Sequence, residues 1–300
     1  MSEIATTTLS APLSGGSSGA NVSVRPLLTA ELAAPSGFVH REPGFGAKLR
    51  LLRDGALGKN TTWLPAPVFL VEHPTAGLIL IDTGMPAAAA LNPVAALGRL
   101  GAKLYKSRMQ PEQAVAAQLR GLGIAPTDIG TVVMTHLHYD HAGGVGEFPQ
   151  AVFVTTTAEW EAAFAPRGVL HGYIKRQYSH AFDFRLINYN AQSVNSFASF
   201  GRSFDLFDDG SVTLVATPGH TAGHQSIVLR TGSGEVLLCG DAAYSMRTLN
   251  EGLLPLIMHD EHTFKRSVRE IQAYIDMTPG TTVIPGHDVV TWPKLKPIYS

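Results

Sequence analysis

One short stretch, Thr135 to His141 with the sequence THLHYDH, constrains this chain more than any other feature. An apolar run from Thr131 to Met134 precedes it and Ala142-Gly143-Gly144 follows it, which predicts a buried strand that ends in a loop. Imidazole nitrogens and carboxylate oxygens are ligands that zinc-like ions prefer, and burying them without a metal would be costly. The stretch therefore predicts a metal site. Its candidate ligands are His136, His138, Asp140 and His141.

Four more apolar runs end in residues of the ligand type, each within two residues of a glycine. These residues are Asp82, His220, Asp241 and His287. A single Gly-Asp or Pro-Gly-His is usually only a turn. Core strands of α/β folds gather their sites just beyond the carboxyl ends of the strands, so we expect the four residues to converge on the histidine-rich loop. Cys239, next to Gly240, is interpreted as a small buried hydrophobe rather than a ligand.

Composition indicates a globular enzyme. The chain has 300 residues, 45% of them hydrophobic, which is enough for one large core. A net charge of −1 without a basic run argues against nucleic acid, and no segment approaches the roughly 20 apolar residues of a membrane span. The single cysteine excludes an intramolecular disulfide framework and fits a reducing cytoplasm. We expect a flexible arm at residues 1–22, rich in Ser, Thr, Ala and Gly, and one domain at residues 23–300.

Hydrophobic periodicity predicts alternating strands and helices. Predicted strands are Val68–Glu72, Gly77–Ile81, Ala151–Thr155, Ser211–Ala216, Gln225–Leu229 and Glu235–Cys239. Predicted helices are Pro111–Leu122, Thr157–Phe164 and one that covers the sheet through Phe264, Val268, Ile271 and Ile275. The Ala/Pro-rich segment Pro86–Arg108 is interpreted as mobile.

The ordered motifs resemble those of the metallo-β-lactamase superfamily. They are Asp82-Thr83-Gly84, His136-x-His138-x-Asp140-His141, Pro218-Gly219-His220, Gly240-Asp241 and Gly286-His287, within about Val22 to Trp292. The resemblance implies a fold of the α/β (α+β) class, a four-layer αββα sandwich with its metals along one edge of two facing sheets. It also implies two divalent ions, Zn²⁺ before Co²⁺, Fe²⁺ or Mn²⁺.

The same resemblance implies a division of the ligands. One ion would take His136, His138 and His220, and the other would take Asp140, His141 and His287. Asp241 would bridge the two ions. Asp82 would support the site without binding metal, and His224 would orient a ligand from outside the coordination sphere.

Smaller features resemble the N-acyl homoserine lactonases within the superfamily. Tyr244 stands three residues after Asp241, and Gly286-His287-Asp288 lies near the carboxyl terminus. The implied reaction is opening of a lactone ring by a metal-bridging hydroxide. Tyr244 would stabilise the oxyanion, or else be an ordinary core tyrosine, and Asp140 would carry the proton. A thioesterase of the glyoxalase II type or a phosphotriester or aryl-ester hydrolase would share these ligands, and a non-catalytic lactone sensor is a third alternative.

The region between the second and third motifs is rich in aromatic side chains. Its aromatic residues include Trp160, Phe164, Tyr173, Tyr178, Phe182, Phe184, Tyr189, Phe197, Phe200 and Phe204. We expect some of them to line an apolar pocket for an acyl chain; a homodimer interface or ordinary core are the alternatives. The remaining histidines form no partner pattern. They are His40, His73, His171, His180, His259 and His262.

Overall fold

A computed structural model describes residues 4–41, 46, 53, 61–180, 182–191 and 194–300. The described residues form two sheets, one of eight strands and one of six. The strands are β1 (Thr6–Thr8), β2 (Ser23–Pro35), β3 (Thr61–His73), β4 (Gly77–Ile81), β5 (Ser107–Arg108), β6 (Ile129–Val133), β7 (Val152–Thr156), β8 (Asp183–Ile187), β9 (Asn195–Phe197), β10 (Phe200–Asp205), β11 (Val212–Ala216), β12 (Gln225–Thr231), β13 (Gly234–Gly240) and β14 (Thr282–Pro285).

Helices lie outside the two sheets and in the connections between strands. The α-helices are α1 (Ser36–Val39), α2 (Ala88–Leu91), α3 (Pro93–Leu104), α4 (Val115–Gly121), α5 (Thr157–Phe164), α6 (Met246–Glu251) and α7 (Glu261–Met277). Short 3₁₀ turns occur at Pro111–Gln113, Pro126–Asp128, Val145–Glu147, Gly168–His171, Lys175–Gln177 and Trp292–Lys294. None of the helices in the described part of the chain is both long and apolar enough to cross a bilayer.

Buried apolar side chains form clusters between the two sheets and on their outer faces, and three of these clusters define the layers of the fold. Side chains such as Val71 and Ile81 of the first sheet meet Leu214 and Ile227 of the second, and form the inner layer. A second cluster packs α4 and α5 against the outer face of the first sheet, and a third packs α7 against the second sheet. The predicted αββα sandwich is therefore confirmed.

Strand direction explains why the motif residues converge. The first sheet has the order β1-β8-β7-β6-β4-β3-β2-β5, and β4 and β6 are parallel neighbours within it. The second has the order β14-β13-β12-β11-β10-β9, with β13 and β14 parallel. Parallel neighbours end at the same edge of a sheet, so the residues that follow β4, β6, β13 and β14 meet there.

The predicted elements agree with the structure in kind and nearly in extent. The predicted helix Thr157–Phe164 has the bounds of α5, and α7 includes the predicted positions from Phe264 to Ile275. The predicted helix at Pro111–Leu122 begins as a 3₁₀ turn and continues as α4. The Ala/Pro-rich segment, in contrast, is not irregular: it folds into α2 and α3, with Asn92 as N-cap of α3 and Leu97 buried.

The N-terminal segment differs from its prediction as a flexible arm. Strand β1 pairs in parallel with β8, and the amide of Leu9 donates to Leu186 O at 2.9 Å. Leu9 is buried in the layer between the sheets, where Leu13 also packs, and the amide of Val22 donates to Arg230 O. Three threonines and two leucines suffice to extend the sheet and fill its end, although the surrounding Ser and Gly suggest disorder.

Most of the aromatic residues between the second and third motifs pack in the core, as the ordinary-core alternative describes, and the acyl pocket stays a prediction. Tyr178 and Phe184 are buried in the cluster between the first sheet and its helices. Phe204 lies between the sheets and Phe200 lies beneath α7. Burial of large rings in these layers stabilises the sandwich, so a high aromatic content does not by itself indicate a binding pocket.

Replacement of Leu9 tests whether the N-terminal segment belongs to the fold. We expect Leu9→Ala to lower the free energy of unfolding by about 2 to 3 kcal/mol, because it leaves a cavity between the sheets. Urea unfolding measures this change. Leu91→Ala serves as the control, since Leu91 is 77% exposed. Equal free energies of unfolding for the two variants would support the interpretation of the N-terminal segment as a flexible arm.

Candidate metal centre

The structure brings all seven predicted ligands together at the strand edge. Their ligand atoms form three overlapping groups, each with its atoms within 4.8 Å of one another. The groups are His136/His138/His220, His136/His141/Asp241 and Asp140/His141/His287. The first and third correspond to the two predicted sets.

Asp241 lies between these two sets. Its Oδ2 is 3.2 Å from His220 Nε2, and its Oδ1 is 3.1 Å from His287 Nε2. Oδ1 is also 3.4 Å from His141 Nε2. The two carboxylate oxygens therefore face different ligand sets, as a bridging carboxylate requires.

The loop after β6 is held by Asp82, which is buried and adopts a left-handed backbone conformation with φ of 62°. Its Oδ1 accepts the amide of Thr135 at 2.7 Å, and its Oδ2 accepts His141 Nδ1 and the Thr135 hydroxyl, each at 2.8 Å. A carboxylate acceptor keeps the proton of His141 on Nδ1, so Nε2 presents its lone pair to the site. Asp82 thus has the geometry of the supporting residue that the sequence predicts.

Two other imidazoles are oriented in the same way. The Thr135 hydroxyl donates to Asp82, so it accepts from His136 Nδ1, 3.0 Å away. His287 Nδ1 donates to the carbonyl of Pro65 at 2.7 Å. In both rings Nε2 is therefore the nitrogen that faces the other ligand atoms, and it binds a cation once it carries no proton.

His224 holds the backbone of the bridging residue. Its Nε2 accepts the amide of Asp241 at 2.9 Å, and its Nδ1 donates to the Thr217 hydroxyl, also at 2.9 Å. Gly240, before Asp241, has φ of +52°, and a Cβ there would lie 2.7 Å from His224 Nε2. The Gly-Asp motif is therefore required by this close approach as well as by the turn.

Burial controls the protonation of the first ligand set. It combines with the neighbouring imidazoles to hold the pKa of His136 and of His138 well below the usual range. Burial lowers the pKa of His220 to about 4. All three rings are therefore neutral near pH 7, which is the protonation state of a metal ligand.

The bridging carboxylate has the opposite tendency. Burial alone would raise the pKa of Asp241, but His287, His220 and His141 outweigh it and hold this pKa well below its usual value. Asp241 is therefore an anion inside a ring of imidazoles. The carboxylates in turn raise the pKa of His141 and of His287 against the effect of burial, so positive charge is stabilised at the common focus of these groups, where a divalent cation would replace the protons.

Unpartnered polar atoms provide a test of whether these residues suit a metal. His136 Nε2, His141 Nε2 and Asp241 Oδ1 are buried and form no hydrogen bond with any described residue. His138 Nδ1 and His220 Nε2, in contrast, form a hydrogen bond with each other at 2.9 Å. Leaving such atoms without partners is costly, and coordination by divalent ions would satisfy them together. The donor set fits the predicted pair of ions.

Tyr244 lies beside the first ligand set. Its hydroxyl is 3.4 Å from His220 Nδ1, and its ring stacks on His287 with 5.3 Å between centroids. Burial, reinforced by the charge of Asp241, raises the pKa of Tyr244 well above its usual value. The hydroxyl consequently keeps its proton and can serve as a donor.

Two side chains near the centre escaped the sequence analysis. Glu159, at the start of α5, accepts hydrogen bonds from the loops of His138 and His220. The signal that could have revealed it is Thr156-x-x-Glu159, the pattern of a helix capping box. His40 is the other, since its Nε2 lies 2.7 Å from the Ser245 hydroxyl.

A cavity of about 620 Å³ opens beside His287. Its apolar walls are aliphatic and come from segments far apart in the chain. They include Val39, Leu64, Met246, Val289 and Val290. The cavity is the feature of this edge that suits an apolar substituent of a substrate.

Replacement of Asp241 tests the two-ion centre. We expect Asp241→Asn to hold at most one ion per chain where the unmodified protein holds two, because the amide has only one oxygen to share between the two sets. Elemental analysis of the purified proteins measures the ratio. The exposed Asp276→Asn is the control and should keep both ions; an unchanged ratio in Asp241→Asn would refute the bridging role.

Comparisons with known proteins agree with this geometry. A family model described as the metallo-beta-lactamase superfamily matches residues 61–287. The N-acyl homoserine lactonase AttM of Azorhizobium caulinodans is 36% identical over 235 residues, which cover 78% of this chain and 85% of that protein. The protein of the same name from Agrobacterium fabrum is 34% identical with the same coverage of both chains.

Solved structures add evidence on the fold. A structure of an N-acyl homoserine lactone hydrolase with the product N-hexanoyl-L-homoserine at its catalytic metal centre superposes with a TM-score of 0.74 at 23% identity. The match covers 96% of this chain and 100% of that one. The match of the family model over most of the chain, with these relatives, shows that the chain belongs to the metallo-β-lactamase superfamily.

Proposed function

We propose that this chain is a metal-dependent hydrolase that opens the lactone ring of N-acyl homoserine lactones, with zinc as the favoured metal. The observation that carries the proposal is the position of Asp241, whose two oxygens face different histidine sets. Relatives named N-acyl homoserine lactonase, of which the chain covers 85%, support the choice of substrate. The ordered motifs and a complete donor set argue against a sensor without activity.

The two ligand sets have distinct parts in the proposed reaction. His136, His138 and His220 would hold one ion, and Asp140, His141 and His287 would hold the other. When bound, two such ions supply Lewis acidity for the lactone carbonyl and lower the pKa of a bound water toward about 7. All of these side chains except the partly exposed His138 are buried, which limits the access of bulk water to the reacting ester.

Tyr244 is proposed as the donor to the carbonyl oxygen. Its protonated hydroxyl lies beside His220 and therefore at the edge of the first ligand set. A donor fixed there meets the oxygen as it becomes negative, without reorganisation during the reaction. Stacking on His287 holds the ring in place.

Asp140 is proposed to move the proton. Its Oδ2 lies 3.6 Å from both His141 Nε2 and His287 Nε2, on the side of the second set. Burial raises the pKa of Asp140, although the two histidines oppose this shift. A carboxylate with a raised pKa can accept a proton and return it to the alkoxide that leaves when the ring opens.

The aliphatic cavity beside His287 is proposed to hold the acyl chain. It replaces the aromatic region as the predicted apolar pocket. Transfer of each methylene from water to such walls contributes up to about 0.8 kcal/mol. The walls consist of flexible or branched aliphatic side chains, which suits chains of several lengths.

A substrate panel tests the proposed function. We expect the zinc-loaded protein to hydrolyse homoserine lactones with kcat/KM at least about tenfold above that for thioesters, phosphotriesters and aryl esters, because the site offers both a hydroxyl donor and an apolar cavity beside the candidate ligands. The rate should rise with acyl length until the cavity is filled. A preference for a thioester or a phosphotriester would assign the site to another branch of the superfamily.

The cavity has its own control within that panel. Val290→Asp introduces a charge into the wall and should lower kcat/KM for long acyl chains more than for short ones. Met277→Asp places the same charge at an exposed position at the end of α7 and should change neither. Identical length profiles in the two variants would exclude the cavity as the acyl site.

Removal of the Tyr244 hydroxyl tests the oxyanion donor. A single such donor contributes about 3 to 4 kcal/mol where it acts alone, and here it would share the task with an ion. We therefore expect Tyr244→Phe to lose roughly 1 to 2 kcal/mol of transition-state stabilisation, mainly in kcat, with the metal content unchanged. Tyr274→Phe removes a hydroxyl that contacts Glu235, away from the candidate ligands, and is the matched control. A wild-type kcat in Tyr244→Phe would show that the Tyr244 hydroxyl is not an oxyanion donor and that the residue contributes only packing.

A further inference from the structure

Glu159 is a fully buried carboxylate that the proposed reaction does not use. Its two oxygens accept four hydrogen bonds from three separate segments of the chain. The donors are the Leu137 amide and Tyr173 hydroxyl on Oε1, at 2.9 and 3.0 Å, and the Thr221 hydroxyl and Gly223 amide on Oε2, at 2.6 and 3.2 Å. Four donors on one carboxylate compensate for its burial.

These bonds connect the two loops that carry the first ligand set. Leu137 stands between His136 and His138 in the loop after β6. Thr221 follows His220 in the loop after β11. The first loop extends from the eight-stranded sheet and the second from the six-stranded sheet. Glu159 thus joins ligands of both sheets through one side chain.

Tyr173 supports His138 from the other side. Its ring lies 4.8 Å from the His138 ring, centroid to centroid, and its hydroxyl is oriented by Glu159. The carbonyl of Gly172 accepts the amide of Tyr139, the residue after His138. His138 is therefore held through the backbone amides of the residues before and after it, and through the ring that packs against it.

The start of α5 brings Glu159 to this position. Thr156 caps the helix by accepting the amide of Glu159 at 3.1 Å, and its hydroxyl donates to the carbonyl of Gly223. A Cβ at Gly223 would lie 2.1 Å from the amide nitrogen of Glu159, so only glycine permits this approach. In a capping box the acidic side chain would turn back to its own helix. Here it extends to the ligand loops instead.

We propose that Glu159 is a positioning residue that sets the spacing of His138 and His220 and thereby the metal affinity of their set. His220 Nε2 and His138 Nδ1 lie 2.9 Å apart. The second set is supported by other groups, since Asp82 orients His141 and Pro65 orients His287. Loss of Glu159 should therefore weaken one ion selectively. This inference rests on the metal centre of the proposed function but not on the identity of the substrate.

The isosteric change Glu159→Gln tests the proposal. The amides of Leu137 and Gly223 can only donate, and they point at different carboxylate oxygens. A glutamine offers a single acceptor oxygen, so one of these amides must face the side-chain NH₂. Outer hydrogen bonds of this kind change metal affinity by about 10- to 100-fold. We expect a loss in that range for one ion and less than twofold for the other.

Competition with a chelator on the Co²⁺-loaded protein measures both affinities. The absorption bands of the two ions are assigned with His220→Ala and His287→Ala, each of which removes a ligand of one set. Glu161→Gln changes an exposed glutamate on the same helix and should keep both affinities. Selective loss of the ion at the set of His220 supports the proposal. Equal weakening of both ions, or of neither, overturns it.

A second variant covers the case in which Glu159→Gln does not fold. Thr221→Val removes the shortest of the four hydrogen bonds and leaves the carboxylate in place. It should weaken the same ion, with the other unchanged. Unchanged affinities in Thr221→Val would overturn the proposal by themselves. Unmodified protein that binds no ion would instead refute the centre on which the proposed function rests.

Discussion

The carboxylate of Asp241, buried between two groups of imidazoles, is the interaction on which the rest of this structure depends. Removing a carboxylate from water costs several kcal/mol even after the surroundings relax. Hydrogen bonds do not offset that cost here, because Oδ1 has no such partner among the described residues. The surrounding rings present lone pairs as well as partial positive charge. A fold with this arrangement is organised around positive charge, which the proposed ions would supply.

The position of this carboxylate links site assembly to folding of the whole sandwich. Asp140 and His141 follow a strand of the first sheet, whereas Asp241 and His287 follow strands of the second. The two groups meet only when the apolar faces of both sheets pack together. Rigid strands on both sides then restrict each ligand to one orientation, which is what a preorganised site requires.

Hydrogen bonds outside the ligands differ between the two sets. Asp82 and the Pro65 carbonyl orient imidazoles of the second set, and each accepts a hydrogen bond from Nδ1 of its ring. The first set depends on Glu159, which acts on the backbone between and beside the ligands. One arrangement determines the tautomer of a ring and the other determines the distance between rings. The two proposed ions would consequently have independent affinities.

The convergence of the candidate ligands could be predicted because it obeys a local rule, whereas the four-layer sandwich was implied by the resemblance of the ordered motifs to a known family. An apolar run with strand periodicity, followed by glycine and a ligand residue, describes both a strand end and the site beyond it. Asp82 follows β4 and Asp241 follows β13, as this rule requires. The N-terminal strand could not be predicted in this way. Its partner β8 lies far along the chain, and Thr6–Thr8 carries no apolar signal of its own.

The apolar cavity could not be located from the sequence for a related physical reason. A large ring lowers the free energy of the folded state wherever it is buried, so an aromatic-rich segment does not reveal which surface it covers. Phe184 packs beneath a helix, while the cavity beside His287 is lined by Leu64 and Val290. These two residues are over 200 positions apart in the sequence, and neither belongs to a ligand motif.

Reactivity and selectivity therefore come from different parts of the molecule. Residues that carry the chemistry follow strands, where backbone hydrogen bonds limit their movement to the small range that catalysis tolerates. Several residues that line the cavity lie on connections, such as His40 after α1 and Val289 after the last ligand. Connections tolerate changes that strands do not. Substitutions in the cavity wall can thus change the substrate preference without disturbing the charge balance around Asp241. The same metal centre can in this way serve hydrolases with different substrates.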